Sequence, residues 1–98
     1  MSKSIKIIKL IVPNCRIYRR RDEFFAKLSI DPMPYISGRE YRILLRVNNV
    51  ELEKKGRIFY DKAVKGYAIT LPKMLNKYWE LLWKLNKPID ITIEIQEG

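Results

Sequence analysis

The run Lys65-Gly66-Tyr67-Ala68-Ile69-Thr70-Leu71-Pro72-Lys73-Met74-Leu75 carries a strand-like alternation straight onto a proline and then into a helical repeat, with no loop between. Proline has no amide hydrogen for a sheet ladder, and its fixed φ suits the first helical position, so Pro72 ends one element and begins the next. The spacing predicts a helix over about 72–86, capped by Thr70 or Leu71. Leu75, Tyr78, Trp79, Leu82 and Leu85 recur at three- and four-residue steps, while Lys73, Asn76, Lys77, Glu80 and Lys84 face water. Pro88 stops this helix. Beyond it Ile89, Ile91, Ile93 and Ile95 alternate with Asp90, Thr92, Glu94 and Gln96, a closing strand with one apolar face.

The same reasoning applies upstream. Ser4 to Val12 is rich in β-branched residues and meets Pro13, which predicts a strand that ends there. Asp22 can cap a short helix over about 20–28 that puts Phe24, Phe25 and Leu28 on one face, before Asp31-Pro32-Met33-Pro34 forbids helix. Tyr41, Ile43, Leu45 and Val47 alternate with Arg42, Leu44, Arg46 and Asn48, a strand with a partly basic face. Asn48-Asn49 and Lys55-Gly56 are turn signals that bracket a short strand from Val50 to Lys54. Arg57–Tyr60 and Tyr67–Leu71 then flank the turn-like DKAVKG as a β-hairpin. The expected fold is α+β, mostly antiparallel strands with one main helix and a second, shorter one.

A chain of 98 residues suits a single domain. Its first half also echoes its second. Ile8 to Pro13 ends on Val-Pro as Ile69 to Pro72 ends on Leu-Pro, Phe24 to Leu28 takes the place of the helix, and Tyr41 to Val47 that of the closing strand. Read this way, the domain holds two fused, related units, 1–50 and 55–98.

Twenty Lys and Arg stand against eleven Asp and Glu, a net charge of +9. The excess is uneven, because residues 1–30 hold eight cations against Asp22 and Glu23, or +6. Clustered cations favour a polyanion, nucleic acid first, since phosphate neutralisation releases counterions. No apolar run reaches the ~18 residues of a membrane span, and Lys6 and Lys9 interrupt the N-terminal isoleucines, unlike a signal peptide. A cytoplasmic protein that does not engage membranes is expected. Cys15 is the sole cysteine and reads as a small buried filler, and histidine is absent, so a zinc site lacks its usual ligands. Without histidine, a carboxylate pair in a distinctive setting or a glycine-rich phosphate loop, neither an enzyme nor a cofactor or small-molecule substrate is expected.

Two clusters carry the binding chemistry. Arg16-Ile17-Tyr18-Arg19-Arg20-Arg21 joins four planar guanidinium groups, each able to hold phosphate bidentately, to an aromatic ring that can pack on a sugar or base. Lys54, Lys55 and Arg57 surround Gly56 in a turn where backbone amides can approach an anion. Trp79 and Trp83, one helical turn apart, suit a core or a dimer seam better than a stacking platform.

Gly66, Ile69, Leu71, Pro72 and Lys73, followed by the helix and the strand after Pro88, resemble the swapped-hairpin DNA-binding family of AbrB, SpoVT and MazE. The resemblance covers residues 57–96. It implies a swapped-hairpin homodimer that binds double-stranded DNA as a transcriptional regulator, and it adds Lys73 and Lys77 on the helix to the DNA-contacting residues. Tyr67 stands where that family commonly has a basic residue, and the helix is about one turn longer than in the family. The rival reading is a protein-interaction module, an antitoxin-like or inhibitor protein that docks through the hairpin or the aromatic helix face.

Overall fold

The computed structural model describes residues 6–33 and 41–97. Seven strands form one antiparallel sheet: β1 (Lys6–Arg20), β2 (Glu23–Lys27), β3 (Tyr41–Val47), β4 (Val50–Gly56), β5 (Phe59–Asp61), β6 (Gly66–Thr70) and β7 (Ile89–Glu97). A 3-10 turn at Lys73–Leu75 leads into the one α-helix among the described residues, α1 (Asn76–Lys84). The strand order is β4-β3-β7-β1-β2-β6-β5.

The first strand does not end at Pro13. Val12 pairs with Ile91 and Cys15 with Ile89, so a register shift takes up Pro13 and Asn14, with Asn14 at φ 55°. A bulge is where a sheet tolerates a residue that lacks N–H. The Asn14 N–H donates instead to Asp90 Oδ1 at 3.1 Å. Before this bend β1 pairs with β7, and after it with β2, so the strand turns a corner from one half of the sheet into the other.

The sheet also has to curl. β4 and β5 lie at opposite ends of the strand order, yet only Arg57 and Ile58 separate them. Three residue steps reach about 11 Å, whereas six strand spacings on a flat sheet would span about 29 Å. The Lys54 ammonium, at the β4 edge, donates to the Thr70 carbonyl of β6 and ties the halves together. Between them lies one apolar cluster, to which Val12, Ile43, Leu45, Ile91 and Ile93 contribute from one half, Ile17, Ala26, Ile69 and Leu71 from the other, and Trp79 and Leu82 from α1.

Several turns follow the expectation. Val47 pairs with Val50 across Asn48 and Asn49, at φ 46° and 67°, the left-handed pair of a two-residue hairpin turn. The β5–β6 hairpin closes at Asp61 and Gly66. β7 begins at Ile89, just after Pro88, and buries Ile89, Ile91 and Ile93.

Two helical readings need correction. Residues 20–28 form no helix: Arg21 and Asp22 make a turn that pairs Arg20 with Glu23, and β2 follows. The two phenylalanines are both buried but on opposite faces, which a strand between two covered surfaces allows. The counterpart of the helix in the first half is thus a strand, and β2 of the first half pairs with β6 of the second. The main helix is shorter than 72–86. Pro72 is extended, at φ −60° and ψ 127°, and precedes the 3-10 turn, while Leu75 occupies the position that caps α1. Leu71 still reaches the neighbouring strand, donating its N–H to the Phe24 carbonyl at 3.0 Å. At the far end Asn86, at φ 55°, donates to Trp83 and Lys87 donates to Leu82, the paired closure that satisfies the last helical carbonyls.

Trp79 fixes the corner at Pro72, because its fully buried indole donates Nε1–H to the Pro72 carbonyl at 2.8 Å. Trp79→Ala should cost about 3–5 kcal/mol in a urea titration. Trp79→Phe retains most of the ring but leaves the Pro72 carbonyl with the Leu75 N–H, at 3.2 Å, as its remaining donor, and should cost about 1 kcal/mol. A phenylalanine variant as stable as the parent would show that this bond does not hold the corner.

Candidate nucleic-acid interface

Strand alternation divides the arginine run. Arg16, Tyr18 and Arg20 fall on one face of β1, and Ile17 and Arg19 on the other. On the first face the register sets Lys27 opposite Arg16, Phe25 opposite Tyr18 and Glu23 opposite Arg20. Across β6 and β5 the same face continues through Ala68 to Phe59. Tyr18 stacks on Phe25 with ring centres 5.3 Å apart, and Phe59 meets Phe25 edge-on at 5.8 Å. The Arg20 guanidinium lies 5.8 Å from the centre of the Phe25 ring.

A buried carboxylate anchors this face. Asp61, 4% exposed, accepts from the Tyr18 hydroxyl at 2.7 Å, from the Arg20 guanidinium and from the Ala63 N–H at 2.9 Å. The Tyr18 hydrogen bond and then Arg20 hold the Asp61 carboxyl below the usual carboxylate range. Burial, followed by the hydrogen bond to Asp61, pushes the Tyr18 phenol up. Arg20 and Tyr18 are therefore committed to joining β1 to the β5–β6 hairpin.

On the opposite face Arg19 lies 5.9 Å from the Phe24 ring centre and 5.8 Å from that of Trp83, and its Nε donates to the Arg21 carbonyl at 2.7 Å. Arg21 itself, at φ 56°, forms the turn. The start of the helix docks on this tip: Asn76 Nδ2 donates to the Asp22 carbonyl at 3.1 Å, and Lys73 Nζ lies 3.3 Å from Glu23. The fold thereby gathers Arg19, Arg20, Arg21 and Lys73 at one end of the sheet, with Lys77 exposed one residue beyond Asn76.

The second basic cluster is dispersed. Lys54 shares a face with the buried Ile43 and gives its ammonium to Thr70, and burial pulls its pKa down. Lys55 lies on the outer face opposite Arg42, whose guanidinium holds Glu53 at 2.6 Å and Glu94 at 3.1 Å. Arg57 is exposed in the link between β4 and β5. Cys15 is buried, its thiol donates to the Val12 carbonyl at 3.3 Å, and burial pushes it up to about 11. Among the described residues no group of His, Cys, Asp and Glu could hold a metal ion, and no helix is long and apolar enough to cross a membrane.

Lys27, Phe25, Phe59 and Asp61 complete the basic–aromatic face, although none of them belongs to the two basic clusters of the sequence. The alternation Glu23, Phe25, Lys27 is the signal for the first two, legible only once residues 23–27 are taken as a strand. No family model matches the chain, and no curated protein or solved structure matches it.

The anchor has a pH signature. Because the folded-state pKa of Asp61 is depressed, its stabilisation is complete above the ordinary aspartate value of about 3.9 and is lost as pH falls through the lower folded value. Asp61→Asn should be less stable than the parent at pH 7, with the gap narrowing below about pH 4 in parallel denaturant titrations. A gap that stays constant with pH would remove the charge from the account.

Proposed function

We propose that the chain binds double-stranded DNA, as a regulator rather than a catalyst, by presenting the β1–β2 tip to a groove. The observation that carries this reading is the convergence of Arg19, Arg20, Arg21 and Lys73 on one tip, where Arg19, Arg20 and Lys73 are already held. Arg19 is braced by two aromatic rings and Lys73 by Glu23. Fixing long cationic side chains in advance lowers the ordering cost of binding. A two-stranded ribbon fits the major groove, about 12 Å wide, and the flanking Arg16 and Lys77 suit phosphate contacts. Arg16, Arg21, Arg57 and Lys77 make no ion pair among the described residues, so their charge is open to a ligand.

Double charge reversal, Arg16→Glu with Arg21→Glu, spares the Arg20–Asp61 anchor. It should weaken binding to a random duplex similarly for all sequences and flatten the slope of log affinity against log salt by about two units, one per phosphate contact. Unchanged affinity in a folded variant would remove the tip from the interface.

A second reading, a protein-interaction surface, rests on α1. Met74 is 96% exposed, Leu81 52% and Leu85 55%, and they recur at seven- and four-residue steps along one stripe. Set against a second copy of the chain, that stripe would complete the swapped-hairpin dimer. Leu81→Glu should then shift a dimer to monomer in light scattering. A parent protein that is already monomeric at high micromolar concentration would exclude this dimer.

A further inference from the structure

The face of β1 that carries Arg16 and Tyr18 holds two cations without a carboxylate partner. Arg16 lies directly opposite Lys27 in the register, and neither makes an ion pair among the described residues. Like charges in directly opposed positions destabilise a strand pair. The lysine leans away from its neighbour. Its stem crosses toward β6, where a Cβ built on Gly66 would come within 2.7 Å of Lys27 Cε and 3.6 Å of Cγ. The φ of Gly66 lies outside the left-handed region, so what the glycine supplies here is room for the lysine rather than a special backbone conformation. The carboxylates of the same face are already engaged, Asp61 by Arg20 and Glu23 by Lys73.

Two residues along β1, about 7 Å away, Tyr18 offers an aromatic ring on the same side of the sheet. One side of this half-buried ring stacks on Phe25 at 5.3 Å, and Asp61 fixes its hydroxyl at 2.7 Å. The other side has no strand beside it, because β7 pairs with β1 only as far as Cys15. A ring already held in place needs little further ordering when a flat group stacks on it. Cations in one row of the sheet and an aromatic ring in the next suit a nucleic-acid strand with unpaired bases, whose phosphates take the cations while a base covers the ring. Because Lys27 leans away from Arg16, the two suit successive phosphates rather than one phosphate held between them.

We propose that this face binds a short unpaired stretch of nucleic acid, with neighbouring phosphates on Arg16 and Lys27 and a base stacked on the open side of Tyr18. The bound strand runs across β1 and β2 rather than along them. This site does not rest on the duplex reading, with which it shares only Arg16.

The test titrates the full chain with a labelled single-stranded hexanucleotide, an abasic strand of the same length and a random duplex, by fluorescence anisotropy at two salt concentrations. The hexanucleotide should bind roughly tenfold tighter than the abasic strand, the worth of one stacked base, and should shift the Tyr18 ring resonances. Lys27→Met should weaken hexanucleotide binding several-fold and flatten its salt slope by about 0.7, one single-strand phosphate contact. Tyr18→Phe keeps the ring but loses the bond to Asp61, so it should lower the melting temperature while holding most of the affinity. Tyr18→Leu should bring the intact strand down to the abasic level. Equal binding of the intact and abasic strands, Tyr18 resonances that do not move at saturation, or a Lys27→Met variant that binds like the parent overturns the proposal. So does a parent that fails to bind the hexanucleotide at high micromolar concentration and low salt. Arg21→Glu should weaken duplex binding alone and Lys27→Met single-strand binding alone, so the two readings fail separately.

Discussion

Pro13 cannot supply an amide hydrogen to the sheet ladder, yet β1 continues for seven residues beyond it. The bulge at Pro13 and Asn14 absorbs the missing donor and changes the strand's partner, from β7 to β2. Both halves of the sheet hang on that one strand. Had β1 ended at the proline, the Arg16–Arg21 segment would have been a loop with no register. Because it continues, each side chain from Arg16 to Arg20 has a fixed face and a fixed cross-strand neighbour. The corner also encloses the core, letting Val12 and Ile17, on either side of the bend, join one cluster.

How much of this was legible from the sequence follows from which signals are local. The alternation of Tyr41–Val47 and Ile89–Ile95, the Asn48-Asn49 turn and the hairpin around Lys62–Lys65 depend on neighbours within a few residues, and these elements appear where expected. The two misread prolines share a cause. Pro13 reads as a stop because a single sequence does not show that a neighbouring strand can accommodate a bulge. Pro72 reads as the first helical residue because its φ suits that position, but ψ 127° leaves it extended and its carbonyl receives the Trp79 indole. Phe24-Phe25 fits helical spacing because one apolar face is the usual case. Only the fold reveals a second covered surface, built by Tyr18 and Phe59, for Phe25 to occupy.

The candidate interface was legible as charge and illegible as geometry. Counting cations located the Arg16–Arg21 segment, but a count does not distinguish Arg20, bound to the buried Asp61, from Arg21, exposed on a turn. The same holds for Lys54, which looks like a surface cation in the sequence and serves instead to close the sheet through Thr70. Asp61 itself, 43 residues after Tyr18, carries no local pattern that would mark it as the anchor.

These assignments constrain the shape of any anionic ligand at the tip. Arg16 and Arg20 project from one face of the ribbon and Arg19 from the other, so a flat polyanion laid on the sheet reaches one set only. On the first face, moreover, Arg20 is already neutralised by Asp61 and Lys73 lies beside Glu23. A ligand that engages both sets must embrace the tip from two sides, with Arg21 at the apex. A groove with phosphates along both walls has that form, whereas an acidic patch on a globular surface does not. The division of the arginine run by strand alternation, which breaks up what looked like one continuous patch, is therefore the feature that favours a duplex over an acidic protein.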